Sequence, residues 1–160
     1  MRRQYLTIAN ALAALILVYA EAAAQEVSAC DSTIVVDIRL AKAMDVRAEF
    51  ADWIPTAAKI ELLFEWPTPT NRTTVSRELV RRYPRHLLKR GIGGEVDFAL
   101  LLDTTGAIVS RKLIKPSQYP EFDRAAEAII SMLRYDPVKS GSGCAVPGLL
   151  RMPIVFRSIP

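Results

Sequence analysis

The sequence predicts an α+β fold organised on a β-hairpin, and three observations carry that expectation. Residues 94–102 read GEVDFALLL, with Val96, Phe98, Leu100 and Leu102 on one face of an extended chain and Glu95 and Asp97 on the other. This is the period-two pattern of a strand with one buried side. Asp103-Thr104-Thr105-Gly106 follows, an Asp that can bond its own backbone and a Gly free to take positive φ, so the chain reverses into a second strand over residues 107–114. Residues 122–135 then place Phe122, Ala126, Ile129 and Leu133 at helical spacing, with Asp123, Arg124, Glu127 and Arg134 largely on the other side.

Two strands alone are marginal in water, so the hairpin needs a third strand and a helical cover. Both are present. Tyr83-Pro84 followed by RHLLKRG reads as a short helix with Pro at its first position and Gly91 just past its end. Pro137 stops the longer helix, a Ser/Gly-rich loop holding Cys144 follows, and residues 149–159 return as a last strand whose Leu150, Met152, Ile154 and Phe156 form its buried face. Pro153 has no N–H, so this strand is expected at a sheet edge with that position turned away from its neighbour.

The first half of the chain also alternates. Ile34, Val36, Ile38 and Leu40, then Met44, Val46, Ala48 and Phe50, keep to even positions, which predicts two strands around a break near Ala41-Lys42. A helix over residues 40–51 is the competing reading, because that stretch contains good helix formers. Ile60, Leu62, Phe64 and Trp66 make a further strand, and Pro67-Thr68-Pro69-Thr70-Asn71 breaks the pattern as a linker.

At 160 residues, 51% hydrophobic and 24% charged, the chain has the make-up of a globular protein with one sizeable core. It opens on Arg2-Arg3, an apolar run over residues 5–20 and Glu21-Ala22-Ala23-Ala24-Gln25, the order of an export signal with cleavage after Ala24. The apolar run is shorter than the roughly 20 residues of a spanning helix, which argues against a retained anchor. Losing two cations and one acid with the leader takes the net charge from +4 to a mildly basic +3, which names no partner.

Cys30 and Cys144 are the only cysteines, and in an exported chain an even count suggests one disulfide. Closing a loop of about 114 residues would stabilise the fold by on the order of 4–5 kcal/mol. The competing reading takes Val27-Ser28-Ala29-Cys30 as a lipobox with a lipidated Cys30, against which stand the polar Glu21, Gln25 and Glu26 before it. Two distant cysteines and one histidine make no ligand cluster, so no metal or cofactor is expected.

Between Arg72 and Arg90 stand seven Lys or Arg residues against one acid, Glu78. A solvated helix face is favoured over a nucleic-acid or anionic-lipid patch, since only Tyr83 interleaves as an aromatic and no binding motif accompanies the charge. Nor does the sequence point to an enzyme: it has no G-x-S-x-G, H-E-x-x-H or glycine-rich phosphate loop, no catalytic residue is assigned, and His86 lies in the basic helix.

The order helix, strand, strand, helix, strand runs through YPRHLLKRGIGGEVDF, a hairpin closed on DTTG, then SQYPEFDRAAEAI, YDPVKSG and RMPIVF. Over residues 80–158 this resembles the C-terminal domain of the TonB family, energy-transducing proteins of Gram-negative bacteria. The resemblance implies a small antiparallel three-stranded sheet with two helices on one face, located in the periplasm. It also implies a function: capturing a segment of an outer-membrane receptor or other envelope protein as an added strand, in the service of transmembrane transport.

By this analogy the recruited edge is the last strand, Leu149, Leu150, Arg151, Met152, Pro153, Ile154, Val155, Phe156 and Arg157, with Arg151 and Arg157 flanking a partner's acidic residues or only solubilising the edge. The same edge would allow a homodimer. Transducing members keep an anchor and a long Pro-rich spacer; here the anchor reads as cleavable and the only Pro-rich stretch is short. The expected organisation is a signal peptide at 1–24, a strand-rich segment at 25–66, a linker at 67–79 and the TonB-like domain at 80–160. An anchored transducer, should residues 5–20 be retained, is the alternative, as is an envelope interaction protein outside transport.

Overall fold

The computed structural model describes Cys30, residues 32–65 and residues 67–158. The leader expected at residues 1–24, Trp66 and Ile159 lie outside the described residues. The chain divides into two compact units, residues 1–32 and residues 33–160, and the fold described is that of the second. Among the described residues no helix is long and apolar enough to cross a membrane.

The hairpin forms as its pattern predicts. β3 (Gly94–Leu102) and β4 (Ile108–Lys115) pair antiparallel around the turn. Asp103 Oδ1 accepts hydrogen bonds from the Thr105 hydroxyl at 2.6 Å, the Thr105 N–H at 2.8 Å and the Ala107 N–H at 3.0 Å. Gly106 takes φ +84°, and a Cβ there would press on the Tyr135 carbonyl and come within 2.8 Å of the Asp136 carbonyl carbon, so the turn needs glycine on both counts.

β5 (Gly148–Phe156) pairs antiparallel with β3 along its whole length, Gly94 opposite Phe156 through Leu102 opposite Gly148. β1 (Thr33–Asp37) and β2 (Lys59–Leu63) join the same sheet in parallel, giving the order β2-β1-β5-β3-β4. The expected three-stranded antiparallel sheet is therefore a mixed five-stranded one, and the strand-rich segment extends it. Alternation in sequence hid this, because β1 is buried on both faces: Ile34 and Val36 enter one core and Val35 the other.

Helices cover both faces as well, not one. α1 (Ile38–Ala43) and α2 (Val46–Glu49) stand where a second strand was expected. Asp37 caps the first through the Arg39 N–H and Asp45 caps the second through the Arg47 and Ala48 N–H groups. Leu40, Val46 and Phe50 from this segment pack on Ile34, Val36, Ala99 and Leu149. The competing helical reading of residues 40–51 is the nearer one; Val46 and Phe50 are spaced by four, which suits a helix as well as it suits alternation.

On the opposite face lie α3 (Arg72–Arg81), α4 (Arg85–Lys89) and α5 (Pro120–Ile130). Their side chains meet Val96, Phe98, Leu100 and the even residues of β5 in the larger core. Phe122 and Phe156 stack at 4.6 Å between ring centroids, and Tyr83 meets both edge-on at 5.5 and 5.6 Å while its hydroxyl donates to the Ile92 carbonyl at 2.7 Å. The expected linker at 67–79 is instead mostly α3, and residues just before it are clamped: the Asn71 amide donates to the Met132 carbonyl at 2.7 Å and the Thr70 N–H to the Arg134 carbonyl at 2.8 Å. Both cysteines of the chain, Cys30 and Cys144, are disulfide-bonded and neither is free.

The turn gives a test. Gly106→Ala is expected to destabilise the fold by about 1–3 kcal/mol in urea unfolding. The Asp103 carboxyl is held below its ordinary value, first by the Thr105 hydroxyl and then by backbone N–H groups of the turn. A lowered folded-state value gives stability that is complete above the unfolded-state value of about 3.9 and lost as pH falls through the lower folded value. Asp103→Asn should thus be less stable than the natural chain at pH 7, with the gap closing on acidification below about pH 4.

Candidate binding edge

Eight of the nine residues expected to form a recruited edge, Leu149 to Phe156, lie on a strand with neighbours on both sides, and Arg157 follows its end. β5 sits between β1 and β3, which corrects the expectation of an edge strand. The correction is local. β1 pairs with β5 only at Val35–Gly148 and Val36–Leu149, and after Asp37 the chain leaves as α1. From Arg151 onward no strand among the described residues flanks that side of β5.

Register fixes which groups are left open. Pro153 lies opposite Asp97, and having no N–H it must occupy a pair that exchanges no hydrogen bonds with β3. In an antiparallel ladder such pairs alternate, so Met152, Ile154 and Phe156 direct their N–H and C=O groups to β3, and Arg151, Pro153 and Val155 direct theirs away. The Arg151 N–H confirms the phase by donating to Asp37 Oδ2 at 3.2 Å, on the β1 side. Beyond it the carbonyls of Arg151 and Pro153 and both groups of Val155 face outward.

Side chains divide just as strictly. Leu150, Met152, Ile154 and Phe156 are buried in the larger core and Leu149 in the smaller. Arg151, Pro153 and Val155 are half-buried and Arg157 is exposed. Arg151 does not flank the edge as expected: its guanidinium lies 2.6 Å from Asp97 Oδ2, and Asp97 is only 2% exposed. Asp37, also buried, accepts from the Arg39 N–H at 2.9 Å and from its guanidinium at 3.3 Å. Two acids and two arginines thus neutralise one another where β1 ends beside β5.

Alongside the open half of β5 runs a groove of about 500 Å³. Its floor and walls are apolar, from Met152 and Ile154 of β5, Val75 and Leu79 of α3, and Ile129 and Leu133 in and after α5. Arg72 and Arg39 stand on its rim. Arg72 is exposed and has no acidic partner among the described residues. Sequence reasoning found the strand but missed Asp37, Arg39, Asp97 and the α3 wall. The available signals were a carboxylate inside each of two apolar strands and the helical spacing of Val75 and Leu79. His86 lies 3.6 Å from Glu121 on the surface, and the described residues hold no group of side chains able to bind a metal ion.

Because Asp97 is buried, removing its partner leaves an uncompensated charge. Arg151→Ala is expected to cost about 3–5 kcal/mol in denaturant unfolding, and pairing it with Asp97→Ala to recover much of that loss. Equal and additive losses would mean that the pair is not coupled.

The family model of the Gram-negative bacterial TonB protein C-terminal region matches residues 80–158. No curated protein matches the chain. Among solved structures, the TonB2 protein from Vibrio anguillarum is 24% identical with a TM-score of 0.40, over 49% of this chain and 74% of that one. The Pseudomonas aeruginosa TonB C-terminal domain is 22% identical with a TM-score of 0.37, over 60% and 82%. That of Helicobacter pylori is 20% identical with a TM-score of 0.38, over 56% and 81%. Residues 80–158, just under half of the chain, hold α4, β3, β4, α5 and β5 and match the model of the TonB C-terminal family.

Proposed function

We propose that the chain is a periplasmic binding module of the TonB type that captures an extended segment of an outer-membrane receptor, or of another envelope protein, as a strand added to the open half of β5. The observation that carries this reading is the outward row of backbone groups from Arg151 to Val155 beside an apolar groove. Unpaired N–H and C=O groups supply the affinity of strand addition, and pockets for alternate side chains supply its selectivity.

The geometry limits the partner. β1 occupies the same position in the sheet beside residues 148–149, so an added strand must start beyond Asp37. Residues 151–157 offer about 20 Å at roughly 3.3 Å per residue, room for about six residues of the partner. Every second side chain of that segment would rest on Val75, Leu79, Ile129 and Leu133 and should be apolar. Arg72 at the rim and the exposed Arg157 favour an acidic residue near either end. The module works by binding rather than turnover, and its export rests on the leader at residues 1–24. A Cys30 whose sulfur is in a disulfide is not available for lipidation, which favours a module without a lipid tether.

Val155→Pro tests this reading. The Val155 N–H points away from β3, so proline removes an outward donor and leaves the β3–β5 ladder intact. A partner captured from outer-membrane extract by the natural chain should bind the variant about tenfold or more weakly, one lost hydrogen bond plus the steric block of the ring. An unchanged affinity, with the variant's melting temperature preserved, would place the partner elsewhere. A second copy of the chain as the only captured species would identify the edge as a dimer contact.

A further inference from the structure

We infer that the exposed corner formed by α3 and α4 is a docking surface for an anionic phospholipid bilayer. This does not depend on strand addition. Arg77, Arg85, Lys89 and Arg90 are exposed and have no carboxylate partner among the described residues. The one acid of the stretch, Glu78, is already shared by Arg81 at 3.2 Å and Arg82 at 3.3 Å. His86 is matched by Glu121, so the corner carries an excess of positive charge that the fold itself does not neutralise.

Two apolar side chains stand within that charge. Val80 is 74% exposed and Leu88 44%, each three residues from a free cation, Arg77 and Arg85, and so on the same helical face as it. Cations flanking protruding apolar groups are the surface pattern of a helix that rests in a membrane interface, the guanidinium and ammonium groups at the phosphates and the apolar groups at the acyl boundary. A nucleic acid is disfavoured by the same packing: Tyr83, the one Phe, Tyr or Trp of the stretch, is buried and hydrogen-bonded to Ile92, and the one exposed ring, that of His86, faces Glu121 at 3.6 Å. An acidic protein surface would use the charge but not Val80 and Leu88.

The placement is compatible with the groove. At 100° per residue, Val75 and Leu79 share one side of α3, whereas Arg77 and Arg81 lie about half a turn round. The helix thus presents its inner side to the groove and its outer side to the proposed bilayer.

The test is co-sedimentation of the full chain with vesicles of phosphatidylglycerol and phosphatidylethanolamine, against neutral phosphatidylcholine vesicles. Binding should be confined to the anionic vesicles and be released by high salt, whereas attachment through a retained leader would appear with both compositions and ignore salt. Arg85→Gln/Lys89→Gln should weaken anionic-vesicle binding about 25-fold, about fivefold per charge. Val80→Ser/Leu88→Ser should weaken it several-fold at constant charge. All four positions are exposed, and unchanged melting temperatures check that each variant is folded. Absence of lipid-selective binding, or binding insensitive to both variants, overturns the proposal. Binding that falls with the charge variant but ignores Val80→Ser/Leu88→Ser, and is matched on duplex DNA or an acidic polypeptide, overturns it in favour of a purely electrostatic partner.

Discussion

The Asp37 carboxylate decides where β1 stops and where the open half of β5 begins. Its two oxygens accept from the Arg39 backbone, the Arg39 guanidinium and the Arg151 backbone. The first of these bonds caps α1 and turns the chain away from the sheet. The last takes the outward N–H that would otherwise have been the next rung of a β1–β5 ladder. One buried side chain therefore ends a strand, starts a helix and leaves the carbonyls of Arg151 and Pro153 and the N–H of Val155 without a neighbouring strand among the described residues.

What holds β5 in place is burial of its even face along the strand and of its odd face at Leu149. Even residues of β5 sit under α3, α4 and α5, and Leu149 sits under α1 and α2. Phe156 is locked by Phe122 and Tyr83 at one end, and Arg151 is tied to Asp97 near the other. An extended partner of the kind proposed would meet a preformed surface and lose mainly its own conformational freedom on binding. The groove beside β5 has α3 as one wall, and the residues just before α3, Asn71 and Thr70, are tied to the chain just after α5. Residues before the family domain thus shape the site that the family domain supplies.

The parts legible in the sequence are those set by local pattern. The hairpin, its Asp and Gly turn, the α5 stripe and the buried face of β5 all follow from periods of two and 3.6 and from turn chemistry. The parts that were not legible depend on distant partners. β1 pairs in parallel with β2 and with β5 more than a hundred residues away, and no local signal reports such a contact. Alternation over residues 34–50 suggested strands because Val46 and Phe50 satisfy both periods; the caps Asp37 and Asp45 were the better evidence. Pro153 gave half of the site: it does turn away from β3, but β1 shares that side at the strand's beginning. Arg151 looked like a surface charge until Asp97, a lone acid in an apolar strand, gave it a buried partner.

β5 is closed at its start and, among the described residues, open from Arg151 on at every second residue. Amide hydrogen exchange along β5 of the unliganded protein measures this directly. Met152 and Ile154, bonded to β3, and Arg151, bonded to Asp37, should exchange slowly, while Val155 between slow neighbours should exchange far faster. A Val155 amide as protected as that of Ile154 would mean that the outer side of β5 is already occupied and that no open half exists for a partner strand.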